Sequence, residues 1–157
     1  MRGERSALSL SQREIYFEYK LAPSSNLHTI GGFIQIFGPL DRALFLRALQ
    51  DTLEANDTFG VRLSETRGEA SVAYLQPSVE VPVLDFSANP EVLSDWMRKR
   101  FRERIDILGE PLLEFALLQE RPASHYWFIK AHHIIIDGWG ISLLGQSVAA
   151  KYSALHA

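Results

Sequence analysis

Ten residues carry most of the chemical potential of this chain: Ala131-His132-His133-Ile134-Ile135-Ile136-Asp137-Gly138-Trp139-Gly140. Two adjacent histidines close an extended apolar run, and an acid and two glycines follow. Histidine suits general-base work because its unperturbed pKa of roughly 6.5 lies close to neutral pH. A neutral imidazole can take a proton from an attacking amine or hydroxyl, or hold that nucleophile by a hydrogen bond. Consecutive strand side chains point to opposite faces, so His132 and His133 cannot both enter one pocket. One should face the core or a neighbouring element, and the other should reach a cleft. Asp137 can fix the local loop by pairing with an arginine or with backbone N–H groups. Gly138 and Gly140 let another backbone or a thin linker approach closely.

Taken alone, such a pair at a strand end is more often structural than catalytic. A metal site is less favoured still, because His28, His125 and His156 show no ligand spacing. No G-x-S-x-G nucleophile elbow occurs. Asp137-Gly138 by itself is a turn signal, and Trp139 by itself reads as a core residue.

The elements that must position these residues follow from periodicity and turn signals. A helix is expected near Ser9 to Lys20, with overlapping capping boxes at Ser9–Gln12 and Ser11–Glu14. Thr29 to Phe37 reads as a strand that Gly38-Pro39 ends. Asp41 can cap a helix to about Asn56 with Phe45, Ala48, Leu49 and Leu53 on one face. Val61 to Leu63 and Ala70 to Leu75 are extended pieces joined at Thr66-Arg67-Gly68-Glu69. Val79 to Phe86 contains Pro82, which makes it an edge strand or a connection. Asn89-Pro90-Glu91 starts a helix whose stripe is Leu93, Trp96, Met97, Phe101 and Ile105. Leu112 to Glu120 and His125 to Ile136 form a hairpin around Pro122-Ala123-Ser124. Ile141 to Leu155 closes the chain as a helix. Helices interleaved with hairpins imply an α+β fold, a two-layer sandwich of helices on a mixed sheet.

Composition narrows the function classes. The 157 residues suffice for one domain, and 46% hydrophobic with 22% charged residues is a globular balance. A net charge of −3 gives no general field for nucleic acid or anionic lipid. Arg98, Lys99, Arg100, Arg102 and Arg104 alternate with Glu91, Asp95, Glu103 and Asp106, the pattern of a solvated helix face. With no cysteine there is no disulfide framework, thiol nucleophile or thiolate-bound zinc. Neither a signal-like start nor a run long enough to span a bilayer is present, so no membrane role and a cytoplasmic location are expected.

His132-His133-x-x-x-Asp137-Gly138 resembles the HHxxxDG signature of the condensation domains of nonribosomal peptide synthetases. Leu8 to Tyr16 resembles that family's opening motif, and Glu54 to Leu63 its second. The resemblance implies a fold similar to chloramphenicol acetyltransferase. It implies an acyltransferase that forms a peptide bond between a carrier-bound acyl or peptidyl donor and a carrier-bound aminoacyl acceptor, as in antibiotic and other secondary-metabolite biosynthesis. His133 would position or deprotonate the acceptor amine, His132 would support it, Asp137 would hold the loop by an ion pair, and Gly138 would leave room, with a backbone N–H, beside the reacting carbonyl. No cofactor would be bound directly; the phosphopantetheine arms belong to the donor and acceptor carrier proteins. Those carriers, a C-terminal lobe and adjacent synthetase domains are the implied partners.

Some positions depart from the family's pattern. Phe59-Gly60 stands where Leu-Arg is usual, and Gly140 replaces a common serine. The opening motif lies close to Met1, which favours a starter-type domain with an acyl donor. The resemblance covers residues 1–157 as a first lobe only, so a cut piece that is inactive alone is expected, its open cleft face able to drive dimerisation. Two other readings compete: a lobe that binds carriers or a partner without catalysis, and an O-acyltransferase of the same superfamily. An epimerisation domain ranks below these, and a heterocyclisation domain lacks the paired histidines.

Overall fold

The computed structural model of the chain describes residues 5–108 and 111–157. Strand β1 (Arg5–Ala7) leads into helix α1 (Leu10–Leu21), then β2 (Thr29–Phe37) and α2 (Arg42–Glu54). A 3-10 turn (Asp57–Gly60) precedes the hairpin β3 (Val61–Thr66) and β4 (Glu69–Tyr74). After β5 (Val83–Asp85) come a second 3-10 turn (Pro90–Val92) and α3 (Leu93–Arg102). The hairpin β6 (Leu113–Arg121) and β7 (Ser124–His132) then delivers the chain to α4 (Gly138–His156).

Two sheets result. The larger has the order β2-β7-β6-β5, antiparallel except for the parallel pair β5–β6, and is therefore mixed. The smaller is antiparallel, in the order β1-β4-β3. β6 and β7 are apolar on both faces, and each face recruits its own cover. Phe115, Leu117, Trp127, Ile129 and Ala131 pack with α2 and α4, while Ala116, Leu118 and Phe128 pack with Leu93 and Met97 of α3. The α+β class and the mixed sheet stand. α2 and α4 cover one face of the β6–β7 pair, and α3 packs on the other. Each large apolar side chain so buried stabilises the fold by roughly 1.5–3 kcal/mol.

Several boundaries differ from the sequence reading for local reasons. At α1, Ser9 accepts from Gln12 N–H while Gln12 accepts from Ser9 N–H, so the first of the two capping boxes is the one used. Asn89 makes no side-chain cap; Pro90–Val92 forms a 3-10 turn and α3 begins only at Leu93. Ile105 lies beyond α3 and belongs to a different core, with Leu8, Tyr16, Tyr19, Val61, Leu63, Val72 and Ile107. The β3–β4 turn puts Arg67 at φ 54° and Gly68 at φ 82°, the paired left-handed conformation of a tight two-residue hairpin; β3 runs longer than expected, and β4 begins and ends one residue earlier. On α3, Arg98 pairs with Asp95 at 3.0 Å and Arg100 with Glu103 and Glu114, as suits a solvated helix face.

Gly60 marks a close crossing. Its carbonyl accepts from Leu75 N–H at 2.9 Å, and a Cβ built on it would lie 1.7 Å from the Leu75 carbonyl oxygen. Gly32, in β2, has nothing within 4 Å of such a Cβ. Gly60→Ala should therefore cost about 1–3 kcal/mol through forced backbone separation. Gly32→Ala should be neutral or stabilise by up to about 1 kcal/mol. Urea unfolding of the two variants checks this, and equal effects would remove the crossing as the cause.

Candidate active site

β7 stops earlier than the sequence suggests, and the site is built on that stop. His132 N–H reaches the Leu112 carbonyl at 2.8 Å on one side, and His133 N–H reaches the His28 carbonyl at 2.8 Å on the other, the last bonds in line with the sheet. Ile135 N–H then closes a turn on the His132 carbonyl at 3.1 Å. Residues 133–136, expected as strand, form this turn because Ile134 is drawn into the core beneath α1 and the small sheet. Ile135 packs against that core and the main one together.

The two histidines separate as the strand period requires. His132 is 3% exposed, with its ring edge-on to Tyr19 at 6.3 Å and 5.8 Å from the His28 ring. Its Nδ1 accepts from Ile134 N–H at 3.2 Å, which requires the ring to carry its proton on Nε2. Burial pushes its pKa down to about 4, helped by the neighbouring His28, His133 and Arg104. His133 is exposed and faces an open cleft of about 560 Å³. One wall of that cleft is the start of α1, with Ser9, Ser11, Gln12 and Ile15. The end of α2 and the following turn bring Asn56, Thr58 and Phe59, and α4 brings Gly140, Leu143 and Ser147.

Asp137 caps α4. Its carboxylate accepts from Gly140 N–H at 2.7 Å, and its carbonyl accepts from Ile141 N–H at 3.0 Å. Where the family resemblance implies an ion pair, the carboxylate here is engaged by backbone, and no ion pair reaches it among the described residues. Gly138 is the exposed first residue of α4, and a Cβ there would meet nothing within 4 Å. At Gly140 a Cβ would lie 2.6 Å from Ile136 Cγ1, so the serine common in the family would require Ile136 to move. Trp139 is 70% exposed and is not a core residue, because it sits on the outer side of the first turn of α4. Gly60 has no room for the usual arginine. Among the described residues, no three His, Asp or Glu side chains gather as a metal-binding set, and no helix is long and apolar enough to cross a membrane.

Sequence reasoning missed two side chains that hold the turn. Gln12 Nε2 donates to the Ile134 carbonyl at 3.4 Å, and Thr58 Oγ1 donates to the Ile135 carbonyl at 2.7 Å. Both lie within quoted motifs, but nothing local to either predicts a partner 122 or 77 residues away.

The neutral, buried His132 ties stability to pH. Its folded pKa of about 4 lies below its ordinary 6.5. Its contribution is therefore complete above about pH 6.5 and is lost as pH falls towards 4, by about 3 kcal/mol in all. His125, also buried and pushed down, acts in the same direction. Urea unfolding between pH 7 and 4.5 should show this fall, and His132→Asn, which keeps an acceptor for Ile134 N–H, should flatten it. An unchanged slope in that variant would locate the pH dependence elsewhere.

Comparison with known proteins fits this geometry. A family model described as the condensation domain matches residues 3–157. A dimodular nonribosomal peptide synthase of Bacillus subtilis (strain 168) is 32% identical over 153 residues, which are 95% of this chain and 6% of that protein. A probable non-canonical nonribosomal peptide synthetase, CymA of Salinispora arenicola (strain CNS-205), is 31% identical over 154 residues, 98% of this chain and 2% of its own length. The crystal structure of the starter condensation domain of rhizomide synthetase RzmA superposes with a TM-score of 0.90 at 32% identity, covering 97% of this chain and 38% of that one. A mutant form of the same domain has been solved in complex with C8-CoA and Leu-SNAC. The first condensation domain of the calcium-dependent antibiotic synthetase superposes with a TM-score of 0.86 at 26% identity. The chain thus spans well under half the length of the solved domains it matches and a small part of the synthetases.

Proposed function

The chain belongs to the condensation-domain family, and from that premise we propose that it is the histidine-bearing lobe of a starter-type condensation domain. In this reading the domain joins an acyl thioester to the amine of an aminoacyl thioester. The observation that carries it is the placement of His133, alone of the paired histidines, on the open cleft.

The chemistry follows from that placement. The acceptor amine attacks the donor carbonyl, a C–N bond forms and the C–S bond breaks. The amine gives up a proton and the departing thiolate needs one, so a neutral imidazole that accepts the first and returns it balances the exchange. His133 is placed to hold or take that proton, and His132 supports it from inside the core. Asp137 fixes the loop by capping α4. Gly138 leaves space, with its backbone N–H, beside the reacting carbonyl. The thioesters ride on phosphopantetheine arms of donor and acceptor carrier proteins, which are substrates and not cofactors of this chain. The acyl character of the donor is supported by likeness to the RzmA starter domain, a mutant form of which holds C8-CoA.

The second cleft wall would come from a C-terminal lobe, in line with the 38% of the RzmA domain that the chain covers. The lobe alone is then inactive, and the working protein is a cytoplasmic synthetase with adjacent domains as neighbours.

Intact-mass analysis of loaded carrier proteins tests this reading. The domain with both lobes should move the acyl group; His133→Ala should lose at least about a hundredfold in rate, and the 157-residue chain alone should transfer nothing. Transfer by His133→Ala at the wild-type rate would remove His133 from the chemistry, and no transfer by the two-lobed domain would leave a carrier-binding lobe without catalysis as the better account. Transfer to a hydroxyl acceptor in preference to an amine would make it an O-acyltransferase.

A further inference from the structure

We propose that Thr58 is a positioning residue for His133, acting through the Ile135 carbonyl. The inference rests on the acyl-transfer reading above for its kinetic consequence but not for its geometry. Residues 133–136 leave the sheet with no strand partner, so their backbone groups must be satisfied one by one. Three amides are taken from β7 and its neighbourhood: His133 N–H by the His28 carbonyl, Ile134 N–H by His132 Nδ1, and Ile135 N–H by the His132 carbonyl. These bonds fix the start of the turn. They leave the far side, which faces the cleft, to be held from across it.

Two side chains do that. The Gln12 bond to the Ile134 carbonyl is long, at 3.4 Å, and comes from the first turn of α1. The Thr58 bond is short, at 2.7 Å, and comes from a well-supported place. Thr58 sits in the 3-10 turn Asp57–Gly60, followed by Phe59, which is buried in the main core, and Gly60, which is pressed against Leu75. A β-branched side chain on such a support has little rotamer freedom. The hydroxyl thus sets the distance between the α2 side of the cleft and the turn that presents His133. A misplacement of about 1 Å at a reacting group costs on the order of a hundredfold in rate, so this distance bears directly on turnover.

The test compares Thr58→Val, which keeps the shape and removes the donor, with Thr58→Ser, which keeps the donor. Both are made in the intact two-lobed domain. Thr58→Val should lower kcat by about ten- to a hundredfold with KM little changed, and Thr58→Ser should recover most of that loss. In the same proteins, the His133 ring resonance, assigned by difference with His133→Gln, should shift in Thr58→Val and return in Thr58→Ser. Amide exchange at residues 133–135 should quicken in parallel. An unchanged ring resonance and unchanged exchange in Thr58→Val would overturn the proposal whatever the activity. So would a raised KM at constant kcat, which would make Thr58 a substrate contact. Should the domain prove not to transfer acyl groups, the acyl-transfer reading fails, and the resonance and exchange measurements still decide for or against Thr58.

Discussion

β7 is a strand buried on both faces that must end in the open. Up to His132 each of its residues has a fixed side: Trp127, Ile129 and Ala131 towards α2 and α4, Phe128 and His132 away from them. A histidine in the second position is held neutral, because an imidazolium there would lose its water and lie beside His28, His133 and Arg104. Neutrality leaves Nδ1 free to accept, and the Ile134 amide is what it accepts from. The desolvation that lowers the pKa of His132 therefore preserves the hydrogen bond that bends the chain after it. If His132 were charged, that nitrogen would become a donor facing a donor, and the turn would lose its first tie.

From this tie the rest of the site is distributed over distant elements. Ile134 enters the core under α1, while Ile135 touches both that core and the one under α2 and α4. The turn is thus a wedge between two hydrophobic clusters, and the cleft is the gap that remains above it. Asp137 then converts the irregular segment into α4 by capping it, and α4 returns along α2 with Tyr152 Oη accepting from Asp41 N–H at 3.0 Å. His132 lies against Tyr19 of one cluster, while His133 stands on the open cleft lined from both. That is how two chemically identical neighbours come to sit in opposite solvent conditions.

What sequence reveals here is what depends on short spacing. Strand period alone separates His132 from His133, and the cap at Asp41 can be read from its local pattern, while two overlapping boxes leave the start of α1 open between Ser9 and Ser11. The boundaries of β2 need only β-branched density and a Gly-Pro stop. Three features were out of reach because they depend on packing. Continuous apolar runs in β6 and β7 do not say whether one face or both are covered. Ile134, Ile135 and Ile136 read as more strand because the pull that bends them comes from Leu8, Tyr19 and Leu63, far away in the chain. Exposure of Trp139 follows from where Asp137 starts the helix, and this rotates the aromatic ring outward.

The segment after α2 shows how the departure from the family pattern is absorbed. Phe59 occupies the main core where the pattern has leucine, so its apolar duty is kept by a larger side chain. The next position is where an arginine is usual, and here the backbone of Leu75 crosses so closely that no side chain fits. Leu75 N–H bonds the Gly60 carbonyl, which carries the chain straight into β3 and places Val61 in the second core. Thr58, Phe59, Gly60 and Val61 thus each have a separate commitment: the histidine turn, the first core, the crossing and the second core. Glycine at position 60 brings the two cores together at this point, and the reach that an arginine would have given across the site is replaced by close backbone contact beside it. Order in this wall of the cleft therefore rests on packing and on the neutral side-chain bonds of Thr52, Asn56 and Thr58, not on a buried charge that would need its own partner.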